Sequence, residues 1–500
     1  NENERSNNQP RRATKRPAPR DFSDKNPNNK KDKSYKSSVY RPNKSKDGFK
    51  RNNYQDRRNS YSDNRREESL QDFTVQTKDD DKVIQEVFNG KLIWSKTFGG
   101  SDEELIRGVT STQDGGFVVV GNTKSSDGDI TTKTSLLEDI WLSKYDVNGN
   151  LVWSKTYGGS LDDLGYSIIE NLDGTLTVAG YSKSSDGDVP SNLGMHDFFI
   201  FKTDANGNLI WKKSYGFMSH DHAHKIISTS DGGYFVMGYA DYGGFGKTSS
   251  RNNTVLHGVG EYYGIKLNAA GDKEWDRYFG GTLNERIFDA VQSNDGGLIM
   301  VGYSESNDFD VTDNHGGYDY WIIKLSITGN LIWKKSYGGS GLDQAFGIAK
   351  TNNNSYLIVG TSNSEDGDVT SNKGANDVWV IHVDDNGNKL WDKSFGGSQF
   401  DSANSIRTMS NGNFLISGHT RSNDLDVNQN KGENDFWAFT ISPSGQMLWQ
   451  KTFGGSNLDF AYDAIETLDK SIIIVGETES NDFDITMNKG SKDLLIIKVH

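Results

Sequence analysis

The sequence contains no cysteine, so this chain has neither a disulfide framework nor a thiolate metal site. Only 7 of its 500 residues are proline, and no apolar run approaches the ~18 residues of a membrane-spanning helix. No G-x-S-x-G or H-E-x-x-H motif is present, which removes two common hydrolase signatures. By contrast, 55 glycines and 11% aromatic residues favour short strands joined by tight turns.

Basic residues are concentrated near the N terminus. Residues 1–70 contain 20 basic residues (Lys and Arg) and 10 acidic residues (Asp and Glu). Residues 71–500 contain 35 basic and 59 acidic residues. An acidic body is a poor partner for nucleic acid, because phosphate contacts need Lys and Arg. Residues 1–80 are polar and show no apolar period, so we predict a disordered basic tail there, acting either as a tether or as a segment that folds on a partner.

One pattern recurs from about residue 88 to the end of the chain. Its clearest marker is one tryptophan per copy: Trp94, Trp153, Trp211, Trp275, Trp333, Trp391 and Trp449. The markers are 58 residues apart, except for a first spacing of 59 and a third spacing of 64. Seven copies of one period indicate a repeat architecture, and a Trp at the same place in each copy is typical of packing between repeats.

Each copy has the pattern of four short strands separated by Gly and Asx turns. The marker Trp lies in a strand such as "LIWKKSY", and aromatic-Gly-Gly follows it. A weak strand, an apolar strand such as "FVVVG", a polar loop and a last strand such as "DYWIIKL" complete the copy. Seven four-stranded antiparallel units predict an all-β, seven-bladed β-propeller over residues 88–500, which we expect to be monomeric.

The two ends of the repeat region complement each other. The last copy stops at His500, seven residues after Asp493, and lacks a Trp strand. The first Trp strand, near Lys91 to Phe98, has no earlier strands of its own. We therefore predict that this N-terminal strand pairs into the last blade and closes the ring.

The run "GGS…D…A…I…DGG…V.G.T.S.D" resembles the bacterial seven-bladed β-propeller repeat family known as SBBP. Residues 338–368 ("GGSGLDQAFGIAKTNNNSYLIVGTSNSEDGD") and 454–484 carry it clearly, and the resemblance extends over all seven repeats. It implies a propeller fold, an extracytoplasmic bacterial setting and no catalytic residues. The chain departs from the family where Phe217 replaces the second Gly and where the polar loops contain "DGD" or "DFD".

The repeats are also similar to those of envelope proteins from bacteria with a type 9 secretion system. This similarity implies a periplasmic or outer-membrane-associated protein without cofactors that docks on an outer-membrane β-barrel or another envelope complex, plugging the pore of the type 9 translocon. Because the chain begins with Asn1, we expect a signal peptide to have been removed. Because it stops inside the last blade, we expect no sorting domain and residence in the envelope.

Two sets of acidic residues repeat with the blades. One lies ten residues after each marker Trp: Glu104, Asp163, Asp221, Glu285, Asp343, Asp401 and Asp459. This acidic ring either attracts a basic partner or, as we favour, satisfies backbone N–H groups in tight turns. The second set is a pair of Asp residues in six polar loops, such as Asp127 and Asp129, which either binds Ca²⁺ or forms Asx turns.

The third copy is irregular. Its extra six residues lie between Gly238 and Glu261, and this long loop is our first candidate for contact with a partner, through Asp241, Tyr242, Phe245 and Arg251. The same copy contains "SHDHAHK", whose alternating His220, His222 and His224 are a possible metal site if they share one strand face. We favour a structural role for these histidines and predict no metal.

Three function classes are compatible with these features. A docking protein is our first hypothesis, and a glycan- or calcium-binding, lectin-like propeller is the alternative. A propeller hydrolase comes third, because no pair of carboxylates stands out among the 59 acidic residues of the body. We therefore predict that the protein is not an enzyme.

Overall fold

The computed structural model describes residues 88–133, 135–241 and 260–500. These residues contain 28 β-strands and no helix, so no described helix is long and apolar enough to cross a membrane. The disordered tail predicted for residues 1–80 lies outside the described residues. In chain order the strands are β1 (Leu92–Phe98), β2 (Glu104–Ser111), β3 (Phe117–Thr123), β4 (Asp139–Tyr145), β5 (Leu151–Tyr157), β6 (Asp163–Glu170), β7 (Leu176–Ser182), β8 (Asp197–Thr203), β9 (Leu209–Tyr215), β10 (Asp221–Ser228), β11 (Tyr234–Ala240), β12 (Glu261–Leu267), β13 (Lys273–Phe279), β14 (Glu285–Gln292), β15 (Leu298–Ser304), β16 (Asp319–Leu325), β17 (Leu331–Tyr337), β18 (Asp343–Lys350), β19 (Tyr356–Ser362), β20 (Asp377–Val383), β21 (Lys389–Phe395), β22 (Asp401–Thr408), β23 (Phe414–Thr420), β24 (Asp435–Ile441), β25 (Met447–Phe453), β26 (Asp459–Glu466), β27 (Ile472–Thr478) and β28 (Asp493–Val499).

The strands form seven four-stranded antiparallel sheets, which confirms the predicted seven-bladed propeller. Blades 1 to 6 are β2–β5, β6–β9, β10–β13, β14–β17, β18–β21 and β22–β25, each paired in chain order. Blade 7 consists of β26, β27, β28 and then β1. In every blade the first strand is the inner one and the strand with the marker Trp is the outer one.

The closing pair has the register that the complementary chain ends predict. Trp94 pairs with Lys498 and Phe98 with Leu494 in the antiparallel ladder between β1 and β28. His500 and Lys91 exchange two backbone hydrogen bonds of 2.9 and 3.0 Å. The first and last strands that the structure describes are therefore held together as the outer strand pair of blade 7.

The apolar core lies between neighbouring blades. The second and third strands of each blade are almost fully buried, whereas the outer strands are half-buried. One apolar cluster, for example, joins Leu357 and Val380 of blade 5 to Ile416 and Trp437 of blade 6. A blade cannot bury both faces of its own sheet, so each one depends on its neighbours.

The marker tryptophans pack against the next blade. A Cβ atom at Gly149 in the turn of blade 1 would lie 2.5 Å from the Trp94 ring of blade 7. The indole N–H of Trp333 donates a 3.0 Å hydrogen bond to the Asp385 carbonyl of the following blade. Gly149 has a φ of 70°, so its missing side chain permits both the turn and this close approach.

Chain direction gives the ring two distinct faces. The loops between second and third strands, and the connections from an outer strand to the next inner strand, lie at the same ends of the strands; we call this the loop face. The short turns between first and second strands, and between third and outer strands, form the opposite turn face. The Asp pairs belong to the loop face, as does Asp241, which follows the second strand of blade 3.

Candidate functional site

The acidic ring lies inside the protein beneath the loop face. All seven carboxylates, Glu104 to Asp459, have 0% exposed surface and start the seven inner strands. Glu104, for example, accepts a 3.0 Å hydrogen bond from the backbone N–H of Gly100 and a 2.6 Å bond from the Thr123 hydroxyl. The seven carboxylates therefore do not form an exposed rim; they bind the connection that leads into each inner strand.

The sequence analysis did not recognise a second ring of buried carboxylates. They are the first residues of the third strands: Asp139, Asp197, Glu261, Asp319, Asp377, Asp435 and Asp493. In each aromatic-Gly-Gly motif, the first Gly lies between one carboxylate of the acidic ring and one carboxylate of this second ring. A Cβ atom at Gly454 would lie 2.5 Å from Oδ1 of Asp435 and 2.8 Å from Oδ2 of Asp459, so only Gly fits there.

Blade 3 departs from this arrangement. In five other blades the inner-ring carboxylate accepts a hydrogen bond from a Ser or Thr hydroxyl on the neighbouring strand, and in blade 5 it accepts one from Ser364 just beyond that strand. Asp221 is instead paired with Ala240. Burial raises the pKa of Asp221 to about 8, and the carboxylates of Asp197 and Asp241 add to the effect. The symmetry of the ring is thus broken where the long loop begins.

The paired Asp residues of the polar loops bind backbone. Oδ1 of Asp127 accepts a 2.8 Å hydrogen bond from the N–H of Ser101, and Oδ2 of Asp129 accepts a 3.0 Å bond from the N–H of Gly99. Asp129 also forms a 2.5 Å ion pair with Lys489 of blade 7. The two hydrogen bonds to backbone N–H groups span 26 and 30 residues, so they are not the local Asx turns predicted from the sequence; the carboxylates instead fasten the polar loop to the connection before the inner strand.

Three of these polar loops place a large apolar residue between the paired aspartates, where three others have Gly. Phe309, Leu425 and Phe483 have φ values of 50°, 54° and 52°, close to the 62° to 65° of the corresponding glycines. This conformation disfavours a bulky side chain. The three side chains are nevertheless 58%, 69% and 69% exposed. Strained, exposed apolar residues cluster at functional surfaces.

The loop face is the apolar face of the ring. Of the 24 exposed large apolar side chains on the described residues, twelve lie on the loop face, four on the turn face and eight on the outer strands. The loop-face residues are Leu136, Leu137, Leu161, Leu193, Met195, Met218, Leu283, Phe309, Leu342, Leu425, Phe483 and Met487. These side chains give the loop face more exposed apolar residues than the turn face for contact with a protein partner.

The central channel is lined by one side chain from each blade. Every inner strand has a β-bulge at its fourth residue: Arg107, Tyr166, His224, Phe288, Phe346, Asn404 and Tyr462. We call this ring the collar. Its neighbouring rings lie 5.1 Å apart for Tyr166 and His224 and 5.0 Å apart for His224 and Phe288, and Arg107 lies 4.6 Å from the Tyr462 ring.

A cavity of about 540 Å³ lies against the collar inside the channel. Its described carboxylates are ion-paired, with Asp289 3.1 Å from Lys225 and Asp463 2.7 Å from Arg407. A glycosidase needs two carboxylates facing the scissile bond, and these two are engaged with cations instead. The channel therefore offers no such pair among the described residues.

Three histidines meet on the loop face where blades 2 and 3 join. His196, His220 and His222 place ring nitrogens within 4.8 Å of one another. Sequence reasoning missed His196, which precedes β8, and the shared strand face considered for His220, His222 and His224 does not include His224. The β-bulge at His224 turns that side chain into the channel, where Nδ1 contacts the Ile287 carbonyl at 2.9 Å.

The candidate partner-binding residues are only partly described. Asp241 follows β11, where its N–H donates a 2.9 Å hydrogen bond to the His220 carbonyl. Burial raises the pKa of its carboxyl, whereas Arg286 and His220 lower it. Tyr242, Phe245 and Arg251 lie outside the described residues, so their role stays a prediction.

We expect the fold not to depend on the apolar side chains of these loops. We expect the triple variant Phe309→Gly, Leu425→Gly and Phe483→Gly to keep its free energy of unfolding within about 1 kcal/mol per site, because relief of the positive φ offsets the chain entropy of Gly. Denaturant unfolding of the triple variant and the unchanged chain tests this. A loss of several kcal/mol per site would show that these side chains are structural.

Comparison with known proteins gives only distant relatives. No family model matches the chain. It is 25% identical over 341 residues to the regulatory protein FlaEY of Caulobacter vibrioides, an alignment covering 59% of this chain and 34% of that protein. It is 21% identical over 347 residues to the uncharacterized WD repeat-containing protein L264 of Acanthamoeba polyphaga mimivirus. That alignment covers 54% of this chain and 25% of the viral protein. The chain thus spans about a third and a quarter of these two relatives.

Two solved structures are similar to this chain at very low identity. Sqt1 from Chaetomium thermophilum matches 83% of this chain and 100% of its own, with a TM-score of 0.42 and 8% identity. The match to the WD40 domain of Neurospora crassa Pan2 covers 79% of this chain and 89% of that domain, with a TM-score of 0.41 and 10% identity. The seven-bladed fold therefore stands on the strand order of this chain, and the SBBP resemblance stays a prediction.

Proposed function

We propose that this protein is a non-enzymatic docking protein of a bacterial cell envelope that binds over the pore of an outer-membrane translocon and obstructs it. The apolar loop face carries this proposal. It presents three strained, exposed side chains at places where Gly would fit without strain. A closed ring held by buried carboxylates and inter-blade ion pairs supplies the rigid support that such a surface needs.

The collar explains how a ring-shaped protein obstructs a pore. An open bore through the propeller would leave a path for solutes, but seven side chains narrow it from all blades. The acidic body, with 24 more acidic than basic residues in 71–500, suits a partner whose docking surface is basic at its rim. The proposed partner is an outer-membrane β-barrel, and the setting is the periplasm or the outer membrane.

Permeability of the outer membrane tests the proposal. In the source bacterium, loss of the protein is expected to admit an antibiotic too large for general porins, and the unchanged chain is expected to restore the barrier. The triple Gly variant of the loop face is expected to leave the barrier open and to lose at least tenfold in recovery of the barrel on affinity purification from native membranes.

A matched variant on the other face is the control. Val147→Ser, Ile327→Ser and Leu468→Ser remove exposed apolar side chains from the turn face. We expect this variant to restore the barrier and to recover the barrel as the unchanged chain does. Equal behaviour of the two triple variants, or a barrier that does not depend on the protein, would contradict the proposal.

A further inference from the structure

We propose that His196, His220 and His222 form a binding site for one divalent transition-metal ion, with Zn²⁺ as the probe ion. Nδ1 of His196 lies 2.5 Å from Nε2 of His222 and 3.1 Å from Nδ1 of His220. Three ligand nitrogens at about 2.0–2.1 Å from a tetrahedral Zn²⁺ are spaced by about 3.3 Å, so small rotations of these rings bring all three to ligand distance.

The surroundings suit a metal ligand set. Nδ1 of His222 lies 2.8 Å from the Tyr239 hydroxyl, which leaves Nε2 for the ion and orients the ring. The Tyr181 ring stacks on His222 at 3.8 Å and on His196 at 5.1 Å, so two of the rings are held in place.

The set is confined to one junction of a ring that repeats seven times. The three positions are the residue before a third strand, the residue before the next inner strand and the second residue of that inner strand. At the other six junctions they are Lys492, Glu103 and Leu105; Glu138, Asp162 and Leu164; Gly260, Asn284 and Arg286; Tyr318, Leu342 and Gln344; Asn376, Phe400 and Ser402; and Asn434, Leu458 and Phe460. A purely structural requirement would recur around the ring, whereas a single ligand set need not.

Three protein ligands leave one position of a tetrahedral ion for water or for a donor group from a binding partner. The site joins blade 2 to blade 3, so a bound ion cross-links them as well. It lies beside the start of the long third-blade loop, because the N–H of Asp241 binds the His220 carbonyl. The metal site is independent of the proposed docking role.

The test is titration of the chelator-stripped full chain with Zn²⁺, followed by calorimetry and by metal analysis after gel filtration. We expect one ion per chain, a raised melting temperature with Zn²⁺, and a tetrahedral visible spectrum with Co²⁺ as substitute. His196→Ala and His222→Ala are each expected to weaken binding at least a hundredfold. Tyr239→Phe is expected to weaken it by about tenfold because the hydroxyl orients His222.

His224→Gln is the matched control, since His224 belongs to the same strand but contacts the Ile287 carbonyl in the channel. It should bind Zn²⁺ as the unchanged chain does. Circular dichroism of each metal-free variant separates a lost ligand from a lost fold, and His220→Gln replaces any Ala variant that fails to fold. No binding by the unchanged chain, or binding that survives all three ligand substitutions, would overturn the proposal.

Discussion

A chain that begins at Gly99, and so lacks β1, is expected to lose on the order of 5 kcal/mol of its free energy of unfolding and to aggregate. Three partly buried apolar side chains of β1 pack against the core, namely Leu92, Trp94 and Phe98, and full burial of such a side chain contributes about 1.5–3 kcal/mol. Removing β1 also leaves β28 as an unpaired edge, which is a template for association with another chain.

Thermal unfolding and size-exclusion chromatography measure this effect. A chain that begins at Val83 keeps β1 and is expected to melt as the full chain does. A synthetic peptide of residues 88–98 added to the truncated chain should restore much of the lost stability, because it supplies the missing ladder. If the two truncated chains melted alike, the closing pair would not be a determinant of stability.

The variant Asp435→Asn is expected to be more stable than the unchanged chain at pH 8 by up to about 4 kcal/mol, and to lose this advantage toward pH 4. Burial raises the pKa of Asp435 from 3.8 to about 7, and the neighbouring Asp459 and Asp484 add to the shift. The folded chain therefore binds this proton more tightly than the unfolded chain does. The resulting stability is fully present below pH 3.8 and is lost as the pH rises through 7.

Asn removes this dependence because it stays neutral while its Oδ1 still accepts the hydrogen bond that the Lys431 N–H donates to Asp435. The measurement is the free energy of unfolding of both chains between pH 4 and pH 8. Glu433→Gln, an exposed neighbour, is the control and should follow the unchanged chain. A constant difference between Asp435→Asn and the unchanged chain across this range would refute the assignment of a raised pKa.

The repeat made the fold readable from sequence. The period gave the blade number, and the complementary ends gave the partner of β1, because both are properties of the covalent chain. The burial of the acidic ring could not be predicted from the sequence. A carboxylate that follows a turn, as Glu104 does, has the same local sequence pattern whether its side chain is exposed or buried. The second ring, including Asp435, was visible as a repeated residue, but its proximity to the first ring depends on how blades stack.

The three-histidine set shows a different limit. His220 and His222 were recognised together, but His196 lies 24 residues earlier in the preceding blade and becomes a neighbour only when the ring forms. The β-bulge that diverts His224 leaves no mark in an alternating pattern. Likewise, the positive φ of Phe483 could be predicted only by comparing this residue with the glycines at the same place in other blades.

The closing pair of strands, β1 and β28, also determines how the protein responds to a pulling force. Phe88 and His500 lie at the same end of the β1–β28 ladder, since Lys91 and His500 are paired and Leu92 pairs with Val499. Tension between these two ends loads the hydrogen bonds one after another, as in unzipping, instead of all at once in shear. The ring should therefore open under small pulling forces at its seam, even though heat or denaturant must disrupt the apolar contacts between blades.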